Sequence, residues 1–161
     1  MPESESTTIQ IYVDADACPV KDEVMRVAER HGLSVHFVSN SWMRLPQGEK
    51  VHRVVVPEGP DVADTWIADR ITAADIVVTT DIPLAARCIK KGARGLSPMG
   101  KPFSEANIGM TLAMRDLMQD LRDTGQVQTY NASFSRQNRS AFLQELETLV
   151  QQVKRASPKP G

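Results

Sequence analysis

The feature that most limits the possible folds of this chain is an alternation of short apolar segments with segments of helical periodicity. Residues 9–13 and 33–38 are apolar runs typical of strands, whereas residues 19–30 repeat apolar side chains at the spacing of a helix. A strand, a helix and a second strand in this order predict a β-α-β unit, in which the strands are parallel and the crossover is right-handed. Gly32 predicts the end of the helix.

The same alternation continues along the chain and ends in helices. Two further strands are predicted at residues 51–56 and 76–79, a last one at 95–97, and a loop at 39–50. Helices are predicted at residues 62–74 and 83–91, and two more follow at 105–122 and 136–153. We therefore expect the α/β class, with a mainly parallel sheet flanked by helices and two C-terminal helices covering it.

Composition indicates one domain. The chain has 161 residues, of which 41% are hydrophobic and 24% charged, values typical of a globular protein. We expect a single domain at residues 9–154 between disordered tails at 1–8 and 155–161. No apolar stretch approaches the ~20 residues of a membrane helix, and the first residues are polar and acidic, unlike a signal peptide. A cytoplasmic location without a membrane partner is expected, and the oligomeric state stays open.

Acidic residues recur where predicted strands end or helices begin. Asp14 and Asp81 directly follow strands, Asp16 lies two residues beyond Asp14, and Asp61 and Asp64 open a helix. In an open α/β sheet the carboxyl ends of the strands form the ligand crevice, so acids remote in sequence are expected to converge there. For Asp61 a simple helix-capping role is an equal alternative.

Converging carboxylates predict a bound cation, because unpaired buried charges are costly. Oxygen ligands favour Mg²⁺ or Mn²⁺, and the chain has no histidine and cysteine set at zinc spacing. Such a metal activates water for phosphodiester hydrolysis. Residues 14, 16, 61, 64 and 81 are therefore the candidate metal ligands.

A basic segment follows Asp81. Residues 82–104 contain no acid and carry several cations, among which four are candidates for contact with a phosphate backbone: Arg87, Lys90, Lys91 and Arg94. A solvated surface is the equally weighted alternative. In the preceding loop, Trp42 and Arg44 either clamp a base or anchor the loop by packing.

Three motifs resemble a known family. Asp-Ala-Asp-Ala-Cys-Pro at 14–19, Asp-Val-Ala-Asp at 61–64 and Thr-Thr-Asp-Ile-Pro-Leu-Ala at 79–85 are similar to those of the YaiI/YqxD family of bacterial proteins, over residues 9–153. That family in turn resembles the PIN-like nucleases. The resemblance implies a PIN-like three-layer sandwich and a metal-dependent nuclease acting on RNA or another single-stranded nucleic acid.

The resemblance also implies roles for individual residues. Asp14 would be the strand acid, Asp64 the helical acid and Asp81 the third catalytic acid. Thr79 or Thr80 would be a polar residue that supports these acids. PIN-like sites have a fourth acid, whereas here none follows Asp81 before Glu105.

Two other functions stay open. A haloacid-dehalogenase-like phosphatase would use Asp14 as nucleophile and Asp16 as acid/base, although residues 17–19 replace the usual Gly-Thr turn. A PIN-like module without catalytic activity would bind RNA or a protein. Cys18 and Cys88 are expected to be free, Cys18 as a small buried residue, and the three histidines are expected to be structural.

Overall fold

The structure, a computed structural model, describes residues 9–59, 62–104, 106, 108 and 136–156. Within these ranges six strands form one sheet: β1 (Gln10–Asp14), β2 (Ser34–Ser39), β3 (Val51–Val55), β4 (Ile76–Val78), β5 (Arg94–Leu96) and β6 (Pro102–Phe103). The helices with described bounds are α1 (Lys21–His31), α2 (Val62–Arg70), α3 (Ile82–Lys90) and α4 (Arg136–Ala156), and a 3₁₀ turn spans Ala15–Ala17. None of the described helices combines the length and apolar character needed to cross a membrane.

The sheet is mainly parallel, as the sequence predicts. Its strand order is β3-β2-β1-β4-β5-β6, and only β5 and β6 pair in the antiparallel sense. The chain winds from β1 towards β3 on one side and from β4 towards β6 on the other. Strands β1 and β4 therefore flank the point where the winding reverses, which is the usual ligand crevice of such sheets.

Helices cover both faces of the sheet. Alternate side chains of a strand point to opposite faces, so β1 contributes Ile11 and Val13 to one core and Tyr12 to the other. The first core is closed by α1 and α4, whose Phe142 is fully buried, and the second by α2 and α3, whose Leu84 is fully buried. The predicted α/β three-layer arrangement is thus confirmed and is consistent with a PIN-like sandwich.

Helices α1 and α2 differ from their predicted bounds, α1 at its start and α2 at its end. Helix α1 begins at Lys21, two residues after Pro19, and ends at Gly32, whose φ of 67° favours glycine. Helix α2 ends at Arg70, not at residue 74 as predicted, because Asp75 Oδ2 accepts hydrogen bonds from the Thr72 amide (2.8 Å) and hydroxyl (2.9 Å).

The predicted C-terminal helices have different outcomes. The second is confirmed as α4, which runs on to Ala156. The first, predicted at 105–122, lies outside the described residues except for Ala106 and Ile108, which are helical. The predicted tails also lie outside them, apart from the residues at the end of α4.

Candidate functional site

A threonine connects the ends of β1 and β4. Thr79 is buried directly after β4, and its Oγ1 donates a hydrogen bond of 2.9 Å to Asp14 Oδ2 at the end of β1. The same Oγ1 accepts a hydrogen bond of 2.9 Å from the Asp81 amide. Two of the predicted acids are therefore tied to one hydroxyl group, whereas the neighbouring Thr80 is exposed.

Asp81 also has a local structural role. It is the N-cap of α3, and its Oδ1 accepts a hydrogen bond of 2.9 Å from the Leu84 amide. Pro83 within the first turn suits this start, because proline lacks the amide hydrogen that would otherwise need a partner. The cap engages one oxygen, and a carboxylate offers about four lone-pair sites in total.

Asp16 joins the third neighbouring strand to this region. It is exposed in the 3₁₀ turn after β1. Its Oδ2 accepts a hydrogen bond of 2.9 Å from the backbone amide of Asn40, just beyond β2. The carboxyl ends of β1, β2 and β4 thus meet at one edge of the sheet. Asn40 was not predicted as a site residue, although its position after an apolar strand is the same signal that selected Asp14.

The acids influence one another electrostatically. Burial raises the pKa of the Asp14 carboxyl, the Thr79 hydrogen bond opposes this rise, and the negative charges of Asp81 and then Asp16 add to it. We call Asp14, Asp16 and Asp81 the acid cluster. A cation placed beside it would relieve this repulsion, since an opposite charge favours the ionised form.

Asp64 and Asp61 are the remaining two predicted metal ligands. Asp64 is partly buried in the first turn of α2. Burial raises the pKa of the Cys88 thiol in α3, and the charge of Asp64 makes a smaller contribution in the same direction. Asp61 lies outside the described residues. Within the described ranges, no group of three or more histidine, cysteine, aspartate or glutamate side chains is arranged to hold a metal ion.

The candidate basic residues lie along α3 and beyond it. Arg87 Nη1 is 3.5 Å from Thr65 Oγ1, and Lys90 is exposed. Lys91 Nζ donates to the Ala68 carbonyl at 2.6 Å, and Arg94 begins β5 at the edge of the sheet opposite the acid cluster. Since Asp81 caps the first turn of α3, Lys90 at the other end of the helix lies roughly 13 Å from it along the helix axis. The contact of these basic residues with a substrate stays a prediction.

Other basic side chains line a pocket that begins at Cys18, shortly after Asp16 in the chain. It has a volume of about 540 Å³, and seven of the described residues line it: Cys18, Pro19, Lys21, Asp22, Arg44, Leu45 and Pro46. One wall begins α1, and the other belongs to the loop after β2. Lys21 was not among the predicted site residues, because a lysine in the first helical turn carries no signal of its own in the sequence.

The cysteines and histidines have structural surroundings. Cys18 and Cys88 are both buried and free, and burial raises the pKa of their thiols to about 11 and about 12. His36 stacks between Tyr12 and His52 across three strands, with ring centroids 4.8 and 4.7 Å apart. Burial, together with the charge of His52, lowers the pKa of His36 to about 4.

Comparison with known proteins places the chain in a family. The model of a family described as "Uncharacterized BCR, YaiI/YqxD family" matches residues 12–152. A "UPF0178 protein" of Parvibaculum lavamentivorans is 59% identical, over 92% of this chain and 98% of the relative. The "UPF0178 protein GOX1710" of Gluconobacter oxydans is 56% identical, over 92% of this chain and 85% of the relative. A "UPF0178 protein" of Rhodopseudomonas palustris strain HaA2 is 52% identical, over 98% and 96% respectively. No solved structure matches significantly. The chain therefore belongs to the YaiI/YqxD family.

Proposed function

We propose that this protein is a Mg²⁺- or Mn²⁺-dependent nuclease that hydrolyses phosphodiester bonds, with RNA as its first candidate substrate. The observation that carries the proposal is the bridge from Asp14 through the Thr79 hydroxyl to Asp81. It ties the carboxylate of Asp14 and the backbone amide of Asp81 to one hydroxyl group at the reversal point of the sheet, where α/β proteins bind their ligands. The analogy with PIN-like nucleases supports the same chemistry.

The donors suit a hard cation. Mg²⁺ prefers oxygen ligands, retains several waters and is often held by only one or two carboxylates together with substrate phosphates. Asp14 and Asp81 would hold the metal, with Asp16 beside them and Asp64 as the predicted helical acid. When bound, the metal would lower the pKa of a water molecule and neutralise charge on the phosphate.

The protein's own groups would orient this site. The Thr79 hydroxyl, by donating to Asp14 Oδ2, fixes the rotation of that carboxylate. The helix cap fixes Asp81 through its Oδ1. The hydrogen bond from the Asn40 amide keeps Asp16 at the same edge. Carboxylates held in advance lose little side-chain entropy when a ligand binds, which favours affinity.

Metal titration and a cleavage assay test the proposal together. Calorimetry with Mn²⁺ should show binding to the native protein, loss of binding in the Asp14→Asn/Asp81→Asn double variant, and no change in Asp69→Asn, an exposed acid of α2. Single-stranded RNA and DNA should then be cut only by the proteins that bind Mn²⁺.

The same assays separate the alternatives. RNA binding without cleavage at any Mn²⁺ concentration would indicate a binding module. Hydrolysis of para-nitrophenyl phosphate that depends on Asp14, in the absence of any nuclease activity, would indicate the phosphatase.

A further inference from the structure

The loop after β2 starts at the acid cluster and is held there. The Asn40 amide donates to Asp16, and Ser39 Oγ donates to the Ser41 carbonyl at 2.7 Å. Trp42 follows two residues after Asn40, a distance of at most ~7 Å along the backbone. A group bound at Trp42 would therefore be a close neighbour of a group bound at the acids.

Trp42 is an aromatic surface that faces solvent. Its side chain is 67% exposed, more than any other large hydrophobic residue in the described part of the chain. The Arg53 guanidinium lies 4.9 Å from the ring centroid, and Arg53 Nη2 is 3.4 Å from the Met43 carbonyl. Isolated exposed apolar residues are ordinary, but this indole also has a cation over its ring, which attracts it electrostatically. An aromatic ring with this exposure can accept a planar ligand by stacking.

Two basic side chains line the pocket that follows Trp42 along the loop. Arg44 comes from the loop wall and Lys21 from the start of α1. Lys21 Nζ donates to the Cys18 carbonyl at 2.7 Å, which positions the ammonium group while leaving it two further protons to donate. Among the described residues that line the pocket, Lys21 and Arg44 are basic and Asp22 is the acid. Its volume of about 540 Å³ falls within the usual range of ligand sites.

We propose that Trp42 stacks a nucleobase and that Lys21 and Arg44 hold an adjacent phosphate, so that this loop is a binding subsite for single-stranded nucleic acid. Stacking on an aromatic ring requires an unpaired base, which excludes the interior of a duplex. The inference rests on the proposed function, because the acid cluster defines where the bound strand would be cut. It adds phosphate contacts in the loop and at the start of α1 to those predicted along α3.

Binding in EDTA tests the subsite independently of catalysis. The probe is a fluorescein-labelled oligouridine of about twelve nucleotides, within the ~4–16 that one binding groove covers. Trp42→Ala should weaken its binding about tenfold, and Trp42→Phe, which keeps a ring, should stay within about threefold of the native protein. Lys21→Ala and Arg44→Ala should each weaken binding and lower the slope of log K against log salt by about one.

Matched controls identify an unspecific effect. Met99→Ala removes an exposed apolar side chain elsewhere, and Arg26→Ala removes an exposed cation further along α1, so neither should change binding. Indole fluorescence should be quenched by the oligonucleotide in the native protein and much less in Trp42→Phe.

Three results would overturn the subsite: native affinity in Trp42→Ala, an equal loss in Met99→Ala, or competition by a blunt duplex as strong as that by the single strand. The proposed nuclease function fails separately. If the Trp42 pattern holds and no Mn²⁺-dependent cleavage occurs, the subsite stands and the nuclease does not. If cleavage depends on Asp14 while Trp42→Ala and Arg44→Ala bind and cut normally, the nuclease stands and the subsite does not.

Discussion

Thr79 Oγ1 donates to Asp14 Oδ2 across the boundary between β4 and β1, a contact between residues 65 positions apart in the sequence. The same oxygen accepts a hydrogen bond from the backbone amide of Asp81. One buried hydroxyl group therefore donates one hydrogen bond to the end of β1 and accepts another from the residue that caps α3. The acid cluster is therefore a product of tertiary pairing, and its geometry depends on a residue that is not itself charged.

Thr79→Val should destabilise the protein by about 1–3 kcal/mol, because it removes both hydrogen bonds at nearly constant volume and leaves the Asp81 amide without its acceptor. Urea unfolding followed by circular dichroism measures this. Thr79→Ser should retain much of the stability, and Thr80→Val, at the exposed neighbour, should change it by less than about 0.5 kcal/mol. Equal effects at positions 79 and 80 would contradict the bridge.

Asp14→Asn should stabilise the metal-free protein. The amide oxygen can still accept the Thr79 hydroxyl, while the repulsion from Asp81 and Asp16 disappears. A gain of about 1 kcal/mol corresponds to a rise of roughly 2–4 °C in Tm for a chain of this size. Calorimetry in EDTA at pH 7 measures it, with Asp69→Asn as the control. A lower Tm in Asp14→Asn would show that the carboxylate is stabilising as it stands.

The pH dependence of unfolding should report His36. Its folded pKa of about 4 is below the ordinary value for histidine, so the unfolded chain binds more protons between about pH 4 and 6.5. Stability from this group is therefore present above pH 6.5 and is lost as the pH falls towards 4. We expect a loss of about 1–2 kcal/mol after allowing for the partial exposure of the ring.

His36→Phe should flatten that pH dependence while keeping a stacked ring between Tyr12 and position 52. Guanidinium unfolding at half-unit pH intervals gives the slope. His52→Gln, which removes the neighbouring charge, should flatten it by a smaller amount. An unchanged slope in His36→Phe would assign the acid sensitivity to other groups.

Gly100→Ala should destabilise the protein by about 2–4 kcal/mol. A Cβ atom there would lie 2.8 Å from the Ala141 carbonyl carbon and 2.9 Å from the Phe142 amide nitrogen, and the φ of 90° is unfavourable for alanine. Thermal unfolding measures the loss. Gly48→Ala, where the nearest atom is a Val51 methyl carbon at 3.2 Å and the contacts are with side chains and not with backbone, should cost less than about 1 kcal/mol. Similar costs at the two positions would contradict the contact between this turn and α4.

The regular helices and strands could be predicted from the sequence, because hydrophobic periodicity and residues that end a helix, such as glycine, determine them. Gly32 ends α1 as expected, and the apolar runs became the parallel strands. The sequence did not predict the two-residue β6 or the three-residue 3₁₀ turn, since segments so short contain no full period. The early end of α2 depends on the Asp75 side chain, whose competition with the helix has no periodic signature.

For the candidate site, the sequence identified positions but not partners. The rule that strand ends converge placed Asp14 and Asp81 at the same edge. It did not show that Thr79, not Thr80, contacts Asp14, because that choice depends on the direction in which the chain turns after the end of β4. Nor did it show that Arg53 would approach Trp42, a contact between a loop and an edge strand that only the folded chain creates.

The reversal of winding between β1 and β4 also sets an order of events during synthesis. A nascent chain leaving the ribosome can pair β1, β2 and β3 early, yet Asp14 has no hydroxyl partner until residues 76–81 have emerged and docked beside it. The acid cluster is thus absent from any chain that ends before residue 76 and forms only when β4 has paired with β1.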